Sequence, residues 1–557
     1  MRQLGKYAPP DIILKNGKIV TLDAQERVEQ AVAISGNRIA AVGSDDQILG
    51  LARDDTKIVD LKQCTVIPGI NDSHNHVISA GKLLEGVMLF DARNMHDVKQ
   101  KVAERVMNAE RGQWIEGGGW IESQFDEYRA PTRWDLDEVS PHNPVLLRRL
   151  FGASVANSEA LRLAGINRDT PEPKRGTIVR NADGEPTGVL ANGADSIVMG
   201  VMPLGSKKHQ LDTMKAHIKR ATQEYVKWGI TSVLDPGVAP LAAQAYQELR
   251  DAGELSIRVS MMPVWHGLRT GYGVDVSQKV ANSGVYSGFG DEWLRLSALK
   301  MAIDGGLGSK TALLNWPFAD GTYADIPLRL DVEQLREYFD EAHSAGWSIG
   351  IHCCGDKAQD IACRCFAEVI GQNPRPRMRH NIIHAYFATA FSLETMKRYG
   401  ILASVQPGFI FVEGDIYYDV AEEHRLHGFT PLRTYIDNGI LVAANSDMTS
   451  AHYNPFLGMY SAVTRKTVRG RVMGEAERIS RLEMLRLFTR NGAYLTFEED
   501  RKGEIAPGML ADLAVLSDDI LSVPDEDIRE LRVLLTMVDG RIVHDYGVTS
   551  EAGLRRV

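Results

Sequence analysis

The sequence predicts an α/β protein in which a (β/α)8 TIM barrel is joined to a small β-sandwich domain. Three observations support this fold class. Short strand patterns with turn signals occupy both ends of the 557-residue chain, strand and helix patterns alternate through its middle, and one long interruption follows the first middle strand. We therefore expect residues 1–65 and 500–557 to form the sandwich and residues 66–499 to form the barrel.

Both chain ends have the same sequence pattern, in which short apolar strands are separated by turn residues. Near the N-terminus, Asn16-Gly17 separates two apolar runs, which is a strong hairpin signal. Near the C-terminus, Asp539-Gly540 separates the apolar run 533–538 from the return strand 541–543. This likeness predicts that both ends contribute strands to one small sandwich.

The middle of the chain contains eight apolar segments with the length and composition of strands. Helical patterns such as 331–345 and 391–399 lie between the later segments. Because alternating strands and helices favour parallel pairing, these segments predict a closed barrel with catalytic groups at the carboxyl ends of its strands. The predicted strands are 66–71, 230–235, 257–264, 295–301, 347–352, 380–384, 401–406 and 440–446.

The segment 77–229 is much too long to be a simple connection between two barrel strands. It contains helix patterns at 95–110 and 211–228, and a glycine-rich stretch that runs from Glu116 to Trp120. We expect an inserted subdomain that covers the mouth of the barrel. Within it, Trp120 is expected either to enclose an apolar part of a substrate or to anchor a loop.

Composition and charge exclude several classes of protein. A net charge of -10 at pH 7 argues against a nucleic-acid-binding surface. The N-terminus lacks the apolar segment of a signal peptide, and no run of eighteen apolar residues predicts a membrane span. Four of the five cysteines lie between 353 and 365, which does not suit a disulfide framework. Reduced thiols, and hence a cytoplasmic location, are expected.

His74 and His76 follow the first predicted barrel strand. Alternate side chains of a strand share one face, so the two imidazoles would form half of a metal site. An isolated His-x-His sequence is weak evidence, because solvent-exposed histidine pairs have the same spacing. The interpretation therefore depends on further metal-binding residue types elsewhere in the chain.

Such residues follow other predicted strands: Lys300 with Asp304 close behind it, His352, His384 and Asp447. Each has a structural alternative, since Asp447 could cap a helix, Lys300 could pair with Asp304, and a histidine at a strand end can simply be hydrogen-bonded. Six potential ligands at one end of one barrel favour a metal centre over six separate structural roles. Imidazole and carboxylate ligands suit Zn²⁺, and suit Mn²⁺ or Fe²⁺ less well.

Motifs that carry these residues are spread over nearly the whole chain. They occupy 68–76, 118–120, 157–161, 300–312, 352–358, 384–385, 446–447 and 503–512. On these motifs the chain resembles the amidohydrolase superfamily and, within it, amidohydrolase family 3, which includes N-substituted formamide deformylases. The motifs are specific for the family but not for a substrate.

The resemblance implies a role for each candidate ligand. His74 and His76 would hold the more buried metal ion, while His352 and His384 would hold a second one. Lys300 would be carboxylated by CO₂, because a carbamate can bridge two metal ions whereas an ammonium cannot bind one. The implied cofactor is therefore one or two Zn²⁺ ions in each chain.

The implied activity is that of a metal-dependent hydrolase cleaving a non-peptide amide C–N bond in a small molecule of the N-acyl or N-formyl amine type. A metal-activated water would attack the carbonyl, Asp447 would touch the first metal and carry the proton to the leaving nitrogen, and His352 would assist. A cyclic amide, imide or ester substrate stays open, as do a catalytically silent ligand-binding protein and assembly as a homodimer. No Gly-x-Gly-x-x-Gly motif follows a strand, which argues against a dinucleotide-dependent oxidoreductase.

One position departs from the family pattern. Relatives usually carry a Gly-His pair shortly before the motif at 157–161, whereas Ala153 stands where that histidine is expected. The histidine is expected to face the substrate, so Ala153 would leave a roomier and less polar pocket that favours bulky apolar groups. Cys353 and Cys354 stand where small apolar residues are usual, and we expect both to serve packing only.

Overall fold

The computed structural model describes residues 9–173, 176–264, 284–324 and 331–549, and the strands of these ranges form five sheets. Two of the sheets contain only parallel pairings and use strands from the middle of the chain. Helices alternate with these parallel strands along the sequence. The predicted α/β class is therefore confirmed, and the parallel strands are the part of the fold that positions the site.

The first parallel sheet consists, in spatial order, of Leu294–Leu296, Arg258–Pro263, Ile230–Val238 and Ile70–Asp72. The second consists of Leu299–Ala302, Ile349–Cys353, Asn381–His384, Leu402–Val405 and Val442–Ala444. A parallel bridge between Val264 and Lys300 links the two sheets. At the opposite edges, the Asp447 N–H donates to the His74 carbonyl at 2.9 Å. The carboxyl ends of the first and last of these strands therefore lie together.

Two predicted strands are divided in the structure. The predicted strand 66–71 splits at Gly69 into Thr65–Pro68, which pairs with strands from both chain ends, and Ile70–Asp72, which pairs with Ile230–Val238. A Cβ on Gly69 would lie 2.2 Å from Thr231 Oγ1, so only glycine fits this crossing. The predicted strand 295–301 likewise divides into Leu294–Leu296 and Leu299–Ala302, which pair with different neighbours.

The helices pack apolar faces against the parallel sheets. Val332–Ser344 begins at Asp331, whose carboxylate accepts a hydrogen bond from the Gln334 N–H at 2.9 Å, and it buries side chains at helical spacing from Leu335 to Ala342. This helix matches the predicted pattern 331–345 closely. The other long described helices are Val77–Glu85, Met95–Met107, Lys207–Tyr225, Pro240–Asp251, Asp356–Gln372, Ala390–Tyr399, Gly408–Val420, Pro455–Thr464 and Arg481–Phe488.

Strands near the chain ends form two sheets that share an apolar cluster, and the second of these sheets combines strands from both ends. One sheet contains Arg38–Gly43, Ala31–Ser35, Ile12–Lys15 and Lys57–Asp60. The other contains Arg541–Asp545, Val533–Val538, Leu513–Leu516, Thr65–Pro68, Lys18–Val20 and Val28–Glu29. Leu14, Val66 and Leu513 share one buried apolar cluster between them. The predicted domain limits at 65 and 500 stay a prediction.

The long insertion forms a sheet of its own. Its strands are Thr177–Arg180, Pro186–Ala191, Ala153–Ala156, Val145–Arg149, Ile115–Trp120 and Val87–Met88. The helices at the two ends of the insertion, Val77–Glu85 and Lys207–Tyr225, pack in the same apolar cluster as the parallel strands. The insertion is thus anchored to the parallel sheets by the helices through which the chain enters and leaves it.

A buried ion pair joins the terminal strands to the first parallel sheet. Arg258, which is 1% exposed, donates from Nε and Nη2 to the two carboxylate oxygens of Asp512 at 2.7 and 3.0 Å. Nη2 also donates to Asp539 Oδ1 at 3.0 Å. The charges of Arg258 and Asp512 are therefore compensated by hydrogen bonds, although both side chains are buried away from water.

We predict that Arg258→Ala destabilises the fold by about 3–5 kcal/mol, because it leaves the Asp512 carboxylate buried without its partner. The midpoint of urea or thermal unfolding measures the change. Arg162→Ala, which removes an exposed pair with Glu159, is the matched control and should shift the midpoint little. Equal shifts for the two variants would contradict a structural role for the buried pair.

Candidate metal centre

The six ligands predicted from the sequence come together at the carboxyl ends of the parallel strands. In one group, the ligand atoms of His74, His76 and Asp447 all lie within 4.8 Å of one another. Asp447 Oδ1 is 3.5 Å from His74 Nε2 and 3.3 Å from His76 Nε2. His76 is the most open member, with a 38% exposed side chain, so the group lies at the border between the core and solvent.

The second group consists of His352, Cys354 and His384, whose ligand atoms also lie within 4.8 Å of one another. The imidazole rings of His352 and His384 are 4.2 Å apart between centroids, and Cys354 Sγ is 3.4 Å from His352 Nε2. Cys353 lies in the large apolar cluster and Cys354 in a second apolar cluster, as the expectation of packing predicts, and Cys354 in addition approaches the two imidazoles. The signal available in the sequence was the position of Cys354, two residues after a predicted ligand.

Lys300 lies beside the first group. Its Nζ is 3.3 Å from His74 Nε2, and the residue is 4% exposed. The rings of His74 and His384 are 6.0 Å apart between centroids, so the two groups are neighbours. The structure therefore brings all six predicted ligands into one cluster, with Cys354 as an additional member.

Hydrogen bonds from behind hold the histidine and carboxylate side chains in place. Gln406 Oε1 is 2.8 Å from His384 Nδ1, which directs the other ring nitrogen, Nε2, toward the cluster. Gln406 itself donates to Asn445 Oδ1 at 2.8 Å. Asp72 accepts hydrogen bonds from the Ser446 N–H at 3.0 Å and the Ser446 hydroxyl at 2.6 Å, which fixes the turn before Asp447.

The backbone at two of the ligands adopts a conformation that side chains disfavour. His384 has a φ of 76° and Asp447 a φ of 48°, both in the left-handed region. Residues held in this region are concentrated at functional sites, because the surrounding structure must stabilise them. The strained backbone in the turns after Asn381–His384 and Val442–Ala444 therefore directs the side chains of His384 and Asp447 into the cluster.

The protonation states of these side chains fit a divalent cation. Burial lowers the pKa of His74 well below its usual value, and the charges of Lys300 and His76 lower it further. Burial lowers the pKa of His384 to about 4, so both rings are neutral near pH 7, as metal ligation requires. Burial by itself would raise the pKa of Asp447, but the hydrogen bond from His76 and the nearby positive charges lower it overall. His74 Nδ1 is also buried without a hydrogen-bond partner.

Asp304, predicted to bind substrate, accepts hydrogen bonds from three backbone N–H groups. Its Oδ1 accepts a hydrogen bond from the Cys354 N–H at 3.0 Å, and its Oδ2 accepts from Gly355 at 2.8 Å and Leu313 at 2.9 Å. With both carboxylate oxygens engaged by backbone donors, Asp304 shapes the loop after His352. The predicted contact of Asp304 with substrate stays a prediction.

Trp120, expected to enclose part of a substrate or to anchor a loop, lies inside the insertion. It is 1% exposed, belongs to the apolar core of the insertion and donates from Nε1 to the Leu147 carbonyl at 3.5 Å. A Cβ on Gly117 would lie 2.3 Å from the Val87 carbonyl, so the glycines let neighbouring strands close against the tryptophan. Trp120 is a core residue and does not line the metal groups.

Ala153 begins the strand Ala153–Ala156 and pairs with Ala191. The residue of this loop that approaches the site is Phe151, since a Cβ on Gly306 would lie 2.1 Å from its ring. The neighbouring Gly305 carbonyl is 3.2 Å from His352 Nε2. Phe151, which the motifs did not single out, thus brings the insertion into contact with the loop that precedes the second ligand group.

A buried carboxyl near the site was also missed. Glu413, in the helix Gly408–Val420, is 2% exposed, and burial raises its pKa to about 7. Tyr386 stands closer to the ligands, with its ring 5.6 Å from that of His384. The signal available in the sequence was an acidic side chain directly after the apolar run 409–412.

Similarity to known proteins extends over nearly the whole chain. A profile of the Amidohydrolase family matches residues 57–544. The N-substituted formamide deformylase of Arthrobacter pascens is 29% identical over 541 residues, covering 95% of this chain and 97% of that protein. The protein LONG AFTER FAR-RED 3 of Arabidopsis thaliana is 31% identical over 541 residues, covering 95% of this chain and 91% of that protein.

A solved structure agrees with these sequence relatives. A metal-dependent hydrolase from Pyrococcus horikoshii OT3 superimposes with a TM-score of 0.71 at 25% identity, covering 92% of this chain and 99% of that chain. The resemblance inferred from the sequence motifs is therefore confirmed.

Among the helices of the described ranges, none combines the length and the apolar character needed to span a bilayer.

We predict that the purified chain binds a divalent metal, with one ion for each occupied ligand group. Elemental analysis after dialysis should find it, and a strong chelator should remove it. His76→Ala should lower the metal content, because one imidazole of the first group is lost. The control His217→Ala removes a histidine that pairs with Glu85 away from both groups, and should leave the content unchanged. A metal-free wild-type protein would contradict the assignment.

Proposed function

The chain belongs to the amidohydrolase family, and we propose that it is a metal-dependent hydrolase that cleaves a non-peptide amide C–N bond in N-acyl or N-formyl amines. The observation that carries the proposal is the pair of adjacent ligand groups with the Asp447 carboxylate between the imidazoles of His74 and His76. The similarity to an N-substituted formamide deformylase supports the choice of an amide substrate. The two linked parallel sheets support the (β/α)8 barrel as the scaffold.

The donor set suits Zn²⁺ best. His74, His76 and Asp447 would hold one ion, and His352 and His384 would hold the second. When bound, such an ion supplies Lewis acidity, which lowers the pKa of water and polarises a carbonyl oxygen. Carboxylation of the Lys300 ammonium would join its nitrogen to CO₂ with release of two protons, and would provide oxygen donors at the point where the two groups meet.

Asp447 is the residue that would move the proton. Its pKa is lowered overall, so it is ionised near pH 7 and can accept a proton from the attacking water. The same carboxyl group then returns the proton to the leaving nitrogen, which would otherwise depart as an unstable amide anion. Its backbone N–H donates to the His74 carbonyl at 2.9 Å, which keeps the carboxylate at the ligand group. His352, at the edge of the cluster, would help to stabilise the oxyanion.

The substituent of the amide would lie against apolar side chains. Phe151 from the insertion contacts the loop at Gly306, and Tyr386 stands beside His384. This lining favours an apolar acyl or amine group over a charged one.

The direct test is a screen of N-formyl and N-acyl amines with the zinc-loaded protein. Release of the free amine, followed by a fluorogenic amine reagent, should be fastest for substrates with aromatic substituents. Cyclic amides, imides and esters of similar size belong in the same screen. Preferential hydrolysis of those compounds would overturn the proposed substrate class, and no hydrolysis of any compound would contradict the hydrolase itself.

Asp447→Asn should retain the fold and lower kcat by at least about 10²–10⁴, the usual contribution of general acid–base catalysis. Asp360→Asn, which alters a half-buried carboxyl bonded to Thr389, is the matched control and should keep full activity. Metal content is measured in parallel, so that a lost ion is distinguished from a lost proton carrier. A decrease smaller than tenfold would show that another group moves the proton.

Lys300→Ala should abolish most activity, because the carbamate oxygens are lost. Short carboxylates such as formate or acetate should restore part of it by entering the space of the missing carbamate. Lys310→Ala, which removes an exposed partner of Asp320, should need no rescue. A fully active Lys300→Ala protein would contradict the carboxylated lysine.

A further inference from the structure

The second ligand group contains a sulfur atom that the proposed function does not use. Cys354 is 1% exposed, and its Sγ lies 3.4 Å from His352 Nε2. All the ligand atoms of His352, Cys354 and His384 fall within 4.8 Å of one another. We propose that Cys354 is a thiolate ligand of the second metal ion, an inference that rests on the proposed metal-dependent function.

The distances fit a mixed nitrogen and sulfur site. With Zn–S of about 2.3 Å and Zn–N of about 2.0–2.1 Å, sulfur and nitrogen at two corners of a tetrahedron stand roughly 3.6 Å apart. The observed separation of Cys354 Sγ and His352 Nε2, 3.4 Å, is close to this value. Two imidazoles and one thiolate leave the fourth tetrahedral position for the carbamate oxygen that Lys300 would supply.

The backbone holds the thiol in this position. The N–H groups of Cys354 and Gly355 donate to the two oxygens of Asp304, at 3.0 and 2.8 Å. These bonds fix the peptide on both sides of the Cys354 side chain. A Cβ on Gly355 would lie 1.9 Å from the Leu313 carbonyl, so the loop is closely packed and cannot turn the sulfur away easily.

Two other roles for Cys354 fit less well. Burial raises the pKa of its thiol well above the usual range, with the Asp304 charge adding to the effect, so without a cation the group is a poor nucleophile. Both cysteines pack in apolar clusters, but of the two it is Cys354 whose sulfur lies 3.4 Å from an imidazole nitrogen, which packing by itself does not require. Ligation requires that the thiol proton leave to solvent while the sulfur lone pair binds the cation, with no change in oxidation state.

A thiolate ligand would set the metal preference of the second position. Sulfur is a soft donor that favours Zn²⁺ over hard ions such as Mn²⁺, whereas the first group offers only imidazole and carboxylate. The two positions should therefore differ in affinity for the same metal. Manganese should occupy the first group more readily than the second.

The test is replacement of the native metal with Co²⁺ in the chelator-stripped full chain. Thiolate bound to Co²⁺ produces a charge-transfer absorption band that imidazole and carboxylate ligands do not. The variants are Cys354→Ser and, as the matched control, Cys353→Ser, since Cys353 is equally buried one residue away. Bound cobalt is counted by elemental analysis in each sample.

We expect the band in the wild type and in Cys353→Ser, and its loss in Cys354→Ser. The affinity of the second group for its metal ion should fall in Cys354→Ser by at least about 10–100-fold. That is the loss typical of mutating a residue that only hydrogen-bonds to a ligand. Bound cobalt without the band in the wild type would overturn the thiolate ligand while leaving the metal-dependent function intact. No bound cobalt at all would overturn both. The wild-type spectrum decides the matter even if Cys354→Ser does not fold.

Discussion

Imidazoles, an amine and a carboxylate are buried together at the carboxyl ends of the parallel strands. Their desolvation costs free energy, and the surrounding residues must compensate for it. His74, Lys300, His384 and Asp447 are each less than 5% exposed. Polar groups buried in this way need partners, because each unsatisfied group costs free energy. Hydrogen bonds from the surrounding loops supply some of these partners, and a bound cation would supply the rest.

The supporting residues explain why so many polar side chains in the core are not ligands themselves. Asp72 fixes the turn before Asp447, Gln406 orients His384, and Asp304 holds the loop that carries Cys354. Each of these groups makes at least one hydrogen bond to the backbone beside a ligand or to a ligand itself. Substitution of any of these three residues would therefore move the candidate ligands without removing a ligand atom.

The connection between the terminal strands and the parallel sheets has its own physical basis. At Gly69 the chain passes from one sheet to the other at a distance from Thr231 that no side chain would allow. The Arg258–Asp512 pair crosses the same boundary without access to water. The first ligands, His74 and His76, follow only a few residues later, so the packing of the terminal strands bears directly on where the imidazoles lie.

The sequence by itself determined the α/β class, the approximate positions of the parallel strands, and the candidate ligands at their ends. It could do so because apolar periodicity and residue chemistry are local properties of the chain. Only the tertiary structure decided that Trp120 lies in a core, that Asp304 serves the backbone, and that Phe151 and Cys354 approach the ligand groups. These outcomes depend on which segments distant in sequence pack together, and neither spacing nor composition encodes the direction of a side chain across such a contact.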